Sequence, residues 1–153
     1  MIKEGKPAPR FTLPSTEGKD IALEDYRGQP VVLYFYPRDD TPGCTKEACG
    51  FQDAFSKIKR RGAVVLGVSP DSVASHDEFR AKYTLKFPLL ADEKKAVAKK
   101  YGAFGEKMMY GRKVMGMIRS TFVIDAEGVV RKVFPKVRVD GHVEQVLKAL
   151  GEL

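Results

Sequence analysis

The sequence predicts an α/β fold in which a central mixed β-sheet is flanked by helices and preceded by an N-terminal β-hairpin. Three observations predict it. Val31 to Tyr36 is an unbroken apolar run between Pro30 and Pro37, the pattern of a strand buried on both faces. A helical stretch and a second apolar run, Ala63 to Val68, come next, so this part of the chain reads as a βαβ unit with parallel strands. Nearer the end, Thr121-Phe122-Val123-Ile124 and Val129 to Phe134 enclose Asp125-Ala126-Glu127-Gly128, an antiparallel hairpin with a turn glycine.

The other elements follow in chain order. Phe11-Thr12-Leu13 and Ile21-Ala22-Leu23 flank Pro14 to Lys19 and form the N-terminal hairpin. Thr41 to Lys59 reads as one helix. Thr41 suits the N-cap, Pro42 suits the first helical position, and Ala48, Phe51, Phe55 and Ile58 recur at helical spacing. A helix spans about Ser72 to Tyr83, Leu89-Leu90 is a short extended piece, and a short helix runs from about Glu93 to Tyr101. Phe104 to Gly116, rich in Gly, Met and Lys, reads as a long loop; for Met108, Met109, Met115 and Met117 ordinary core packing is the leading reading, with a soft apolar surface near a pocket mouth as the alternative. Val143, Val146, Leu147 and Leu150 mark the last helix. The order βαβ, helices, ββα around one sheet is a thioredoxin-like layout. No repeat or linker interrupts it, so residues 1–153 read as one domain.

Composition narrows the functional classes. With 43% apolar residues the chain has the core of an ordinary globular protein. No apolar run approaches the roughly 20 residues of a membrane span, and Met1 to Lys6 lacks a signal-peptide apolar region, so the reading is cytoplasmic with no membrane partner. The net charge of +7 is spread among 20 acidic residues. Its densest groups, Lys57 to Arg61 and Lys94-Lys95 with Lys99-Lys100, fall on solvated helix faces without interleaved aromatics. That pattern argues against nucleic acid, although a positive field still draws anionic partners. Two cysteines are too few to staple a secreted scaffold of this length; in a reducing compartment so close a pair is catalytic, redox-active or metal-binding.

Cys44 falls at the third helical position if Thr41 is the cap. There the unpaired N–H groups and the positive helix end favour an anion, which lowers a thiol pKa from its free value of about 8.5. Cys44 also shares a stripe with Ala48, Phe51, Phe55 and Ile58, so read alone it is equally a small buried apolar residue. Residues five apart on a helix lie near ~8.6 Å between Cα atoms, beyond the about 7 Å that a disulfide spans. Cys44 and Cys49 therefore cannot join while the helix is intact. Cys49 points to the polar side with Gln52, Asp53 and Ser56, and Gly50 beside it weakens the helix by about 1 kcal/mol relative to alanine. A Cys-x-x-Cys motif is absent, and a zinc site would have to recruit His76 and His142, neither at metal-ligand spacing.

The run Phe35-Tyr36-Pro37-Arg38-Asp39-Asp40-Thr41-Pro42-Gly43-Cys44-Thr45-Lys46-Glu47-Ala48-Cys49 resembles the peroxiredoxins. Its nearest likeness is to the peroxiredoxin Q, or bacterioferritin comigratory protein, group. The likeness continues through Gly67 to Ser72, Phe87 to Leu90, Gly105 to Lys107 and Arg119 to Asp125. It implies a thioredoxin fold and a cofactor-free, metal-free thiol peroxidase acting on hydrogen peroxide and organic hydroperoxides. It implies Cys44 as the peroxidatic cysteine, Cys49 as the resolving one in an intramolecular disulfide, and thioredoxin or a similar dithiol protein as reductant. The family's arginine position falls on Arg119, its pocket proline and threonine on Pro37 and Thr41, and its arginine-holding glutamate on Glu47. A monomer is the family's common state, with a dimer as the alternative. Read without the family, Arg119 is a surface ion-pair arginine, Pro37 a strand terminator, Thr41 a helix cap and Glu47 a solvated helix residue. Phe104 stands where relatives often carry tryptophan. Two other functions remain open on the residues: a thiol–disulfide exchange protein that does not meet peroxide, and a basic binding module on an inactive fold.

Overall fold

The computed structural model describes residues 1–153. Its centre is a five-stranded mixed sheet. β3 (Val31–Phe35), β4 (Val64–Ser69) and β5 (Leu89–Ala91) run parallel to one another, while β8 (Ser120–Ile124) pairs antiparallel with β3 and β9 (Val130–Phe134) antiparallel with β8, giving the order β5-β4-β3-β8-β9. β3 is buried throughout, and its side chains alternate between two cores. Val31, Leu33 and Phe35 pack with Phe11, Tyr101 and Phe122. Val32, Tyr34 and Tyr36 pack with Cys44, Phe51 and Phe87 on the other face. The period of two along an all-apolar strand thus divides the interior into two layers.

The predicted N-terminal hairpin is present as β1 (Thr12–Pro14) and β2 (Asp20–Ala22), followed by a 3-10 turn over Leu23–Tyr26. α1 (Pro42–Asp53), α2 (Phe55–Arg60), α3 (Val73–Tyr83) and α5 (His142–Gly151) supply the second core, and α4 (Ala96–Tyr101) the first.

Three boundaries depart from the sequence reading. The helix expected over Thr41 to Lys59 is two, with Ala54 (ψ 4°) between them. Hydrogen bonds from Ala54 N–H to the Gly50 carbonyl and from Ile58 N–H to the Ala54 carbonyl bridge the step. α4 begins later than Glu93 because the Asp92 carboxylate accepts from the N–H groups of Val97 and Ala98, fixing the start of the helix there.

The third departure is larger. Phe104 to Gly116 is not a loop but belongs to a two-stranded hairpin, β6 (Phe104–Met109) with β7 (Arg112–Met117), separate from the central sheet. Tyr110 and Gly111 both have positive φ (52° and 77°), the two-residue turn that matches the twist of a hairpin. Both of its faces are largely open, so no apolar alternation betrayed the strands in sequence. Of its methionines only Met117 enters the core; Met108, Met109 and Met115 are exposed, contrary to their expected packing role.

Candidate active site

The site forms where β3 ends and α1 begins. Ligands of open α/β sheets gather at such carboxyl edges. Thr41 occupies the N-cap position with extended backbone, and Pro42 opens the helix where its missing N–H costs nothing. The Thr41 hydroxyl does not cap, however. It donates to the Arg38 carbonyl at 2.8 Å, which leaves its oxygen free to accept. The cap expected from sequence is lost to a local turn bond.

Cys44 lies on the first turn of α1 and is buried. Arg119, at the threshold of β8, donates from Nη2 to Cys44 Sγ at 3.2 Å and from Nη1 to Glu47 Oε1 at 2.6 Å. One planar fork therefore spans sulfur and carboxylate, an arrangement a flexible ammonium does not reproduce. A Cβ added at Gly43 would meet Arg119 Nη2 at 3.3 Å, so the glycine keeps room for the guanidinium. Glu47 is buried, not solvated, and its Oε2 has no hydrogen-bond partner. Burial pushes its carboxyl up to about 7, against the opposing pull of Arg119. The guanidinium itself is shifted upward: burial opposes the charge, but Glu47 and Cys44 outweigh it.

A cavity of about 560 Å³ opens beside this cluster, walled by Pro37, Met117, Ile118, Arg119, Lys107 and Lys136. Cys44 is not in that wall but meets it through Arg119 Nη2. Lys107 spends its ammonium on the Met117 carbonyl at 2.6 Å, and burial and the charge of Arg119 lower its pKa.

Cys49 is on the same helix but borders a different groove, of about 490 Å³, with Asp53, Lys57, Asp140, His142 and Val143. Both cysteines are free thiols on an intact helix. Burial and the charge of Asp53 raise the Cys49 pKa. Beyond it α1 is pinned to α5: a Cβ on Gly50 would lie 3.2 Å from Val143 Cγ2. Neither histidine joins the cysteines. His142 faces Thr121 Oγ1 and Gln145 Oε1, and His76 belongs to a network that sequence reasoning missed.

That network anchors the loop before Cys44. Asp39 is buried and accepts from Tyr36 Oη at 2.6 Å and Ser75 Oγ at 2.8 Å, while His76 Nδ1 lies 2.6 Å from its Oδ2. The other ring nitrogen of His76 lies 2.9 Å from the Leu90 carbonyl. Asp71 accepts from Asp39 N–H and Ser69 Oγ. Next to it, Asp40 takes a left-handed backbone and accepts from Lys82 and Tyr83. The signal was present in Asp39-Asp40 and Ser69-Pro70-Asp71, but separations of 32 to 43 residues hide the pairings.

With a thiol under a guanidinium fork at the sheet edge, the chemistry on offer is that of sulfur, and the class is a thiol-dependent redox protein of thioredoxin-like fold. Comparison narrows it. The model of the AhpC/TSA family matches residues 5–133. A Coxiella burnetii protein of the bcp peroxiredoxin type is 52% identical over 97% of this chain and 99% of its own. Peroxiredoxin Bcp of Bacillus subtilis is 42% identical over 99% of this chain and 97% of its own. A solved structure of the Xanthomonas campestris bacterioferritin comigratory protein, studied for alkyl peroxide reduction, superposes with a TM-score of 0.88 at 42% identity, covering 93% of this chain and 90% of that one. The chain belongs to the AhpC/TSA family, within its Bcp and Q-type peroxiredoxins, and is a thiol peroxidase. No helix is long and apolar enough to cross a membrane.

Proposed function

We propose that Cys44 is the sulfur that meets the peroxide and that Cys49 resolves the product. The observation that carries the reading is the 3.2 Å contact between Arg119 Nη2 and Cys44 Sγ, with Glu47 holding the other side of the guanidinium. A negative sulfur gains a charge-assisted hydrogen bond there, and the same fixed donors stand beside the oxygens of a peroxide entering past Pro37. Cys44 attacks one oxygen of R–O–O–H; the O–O bond breaks, the sulfur becomes a sulfenic acid, and the other oxygen leaves as alcohol or water with a proton. The Thr41 oxygen accepts the peroxide hydrogen bond.

The second step needs α1 to open, because its geometry keeps the sulfurs apart. Once unwound, Cys49 leaves the burial and the Asp53 charge that hold its proton. It attacks the sulfenic sulfur, water departs, and a Cys44–Cys49 disulfide forms. Thioredoxin or a similar dithiol protein reduces it by exchange. The cycle requires a reducing compartment, for which the cytoplasm is our reading, and one monomeric domain of residues 1–153 carries every group it uses.

The test is peroxide consumption by the reduced protein with a dithiol reductant. Cys44→Ser abolishes it. Cys49→Ser retains a single turnover and accumulates the sulfenic acid, seen as one added oxygen by intact mass. Consumption undiminished in Cys44→Ser overturns the reading.

A further inference from the structure

We propose that the β6–β7 hairpin is a docking surface for an anionic lipid bilayer, against the expectation of no membrane partner, which rested on the lack of a spanning segment. Apart from Met1 and Leu153 at the chain ends, every large apolar side chain this molecule exposes lies on that hairpin: Met108, Met109, Tyr110 and Met115. Tyr110, at the turn, is 99% exposed. Soluble proteins seldom gather such side chains without a partner, and none of the four belongs to either core.

The cations are arranged to match. Across the hairpin Met108 pairs with Lys113 and Met109 with Arg112, so each apolar side chain next to the apex stands beside an exposed base. An apolar tip with a basic collar is the shape of a segment that buries its end among acyl chains while its cations stay with the headgroups. Tyrosine suits that boundary, with an apolar ring and a polar end. The hairpin stands apart from the central sheet, paired only with itself.

The orientation that results bears on the known activity. Met108 and Lys113 also border the cavity that reaches Arg119. With the tip in a membrane, that cavity opens at headgroup level. The docking surface is independent of which cysteine attacks first, so it survives a failure of the cysteine assignment.

The test is co-sedimentation of the full reduced chain with vesicles of phosphatidylcholine alone or phosphatidylcholine mixed with phosphatidylserine. Binding is expected to the mixed vesicles and to fall with added salt. Met109→Ser/Tyr110→Ser, whose side chains take no part in either core or the cavity wall, lowers the partition coefficient at least about tenfold, as does Arg112→Glu. Circular dichroism and turnover of hydrogen peroxide are unchanged in these variants, which separates lost docking from lost folding. Equal sedimentation with both vesicle types, or full binding by the serine variant, overturns the proposal. So does a raised KM for the dithiol reductant in that variant with no vesicle binding by the parent, which makes the tip a protein contact.

Discussion

Asp39 and His76 meet inside the protein, Oδ2 to Nδ1 at 2.6 Å, and so join the loop that leads into the helix of Cys44 to the first turn of α3. His76 is fully enclosed, and its second nitrogen reaches Leu90 on β5. The loop's position is thus set by α3 and β5, separated from β8 and Arg119 by the strands β4 and β3.

His76→Ala leaves a buried carboxylate short of its partner and is expected to cost about 3–5 kcal/mol in unfolding free energy. A urea titration of the reduced protein measures it. Ser75→Ala, which removes one of several donors to Asp39, costs about 1 kcal/mol.

Arg119→Lys keeps the charge but cannot span Cys44 and Glu47 together. The second-order rate of peroxide reduction is expected to fall on the order of 100-fold, the usual loss when a placed donor is removed from developing charge. Stopped-flow measurement of the first oxidation reads this directly, free of the reductant.

Gly43→Ala separates stability from chemistry. Alanine is worth up to about 1 kcal/mol over glycine within a helix, yet its Cβ would crowd Arg119 Nη2 at 3.3 Å. The melting temperature holds or rises while peroxide reduction slows. A variant that keeps full activity contradicts the packing described for this glycine.

Glu47 makes stability depend on pH with a definite sign. Burial raises its folded-state value to about 7 from 4.5, so the folded protein favours the protonated carboxyl. The stability this lends is complete below pH 4.5 and is lost as pH rises through 7. His142, whose pKa burial lowers, acts in the opposite direction. The comparison of wild type with Glu47→Gln isolates the effect: urea midpoints converge at acidic pH, and across this interval the wild type falls relative to the variant. Parallel curves refute it.

Much of this organisation could be read from the chain. Val31 to Phe35 announced the central strand through apolar continuity, and Thr41-Pro42 placed Cys44 on the first turn of a helix. Both signals are local. What escaped was long-range or two-sided. The pairing of Glu47 with Arg119, 72 residues away, was implied by the family resemblance alone; no local signal places Glu47 in the interior, and nothing near Asp39 points to His76. The β6–β7 strands escaped because neither face is uniformly buried, leaving only the Tyr110-Gly111 turn to declare them.

The contact between Gly50 and Val143 gives α1 a direction. Its far half lies against α5, where a Cβ on Gly50 would stand 3.2 Å from Val143 Cγ2, whereas its first turn carries the Arg119 contact to Cys44. In the proposed cycle the helix peels from its beginning and stops at that approach to α5, just past Cys49. Peeling is then a clock running against the next peroxide: a tighter approach keeps the oxidised sulfur in its pocket longer, exposed to a second and ruinous oxidation. On this reading the approach of Gly50 to Val143, two positions outside the chemistry, governs how long the oxidised sulfur stays in its pocket.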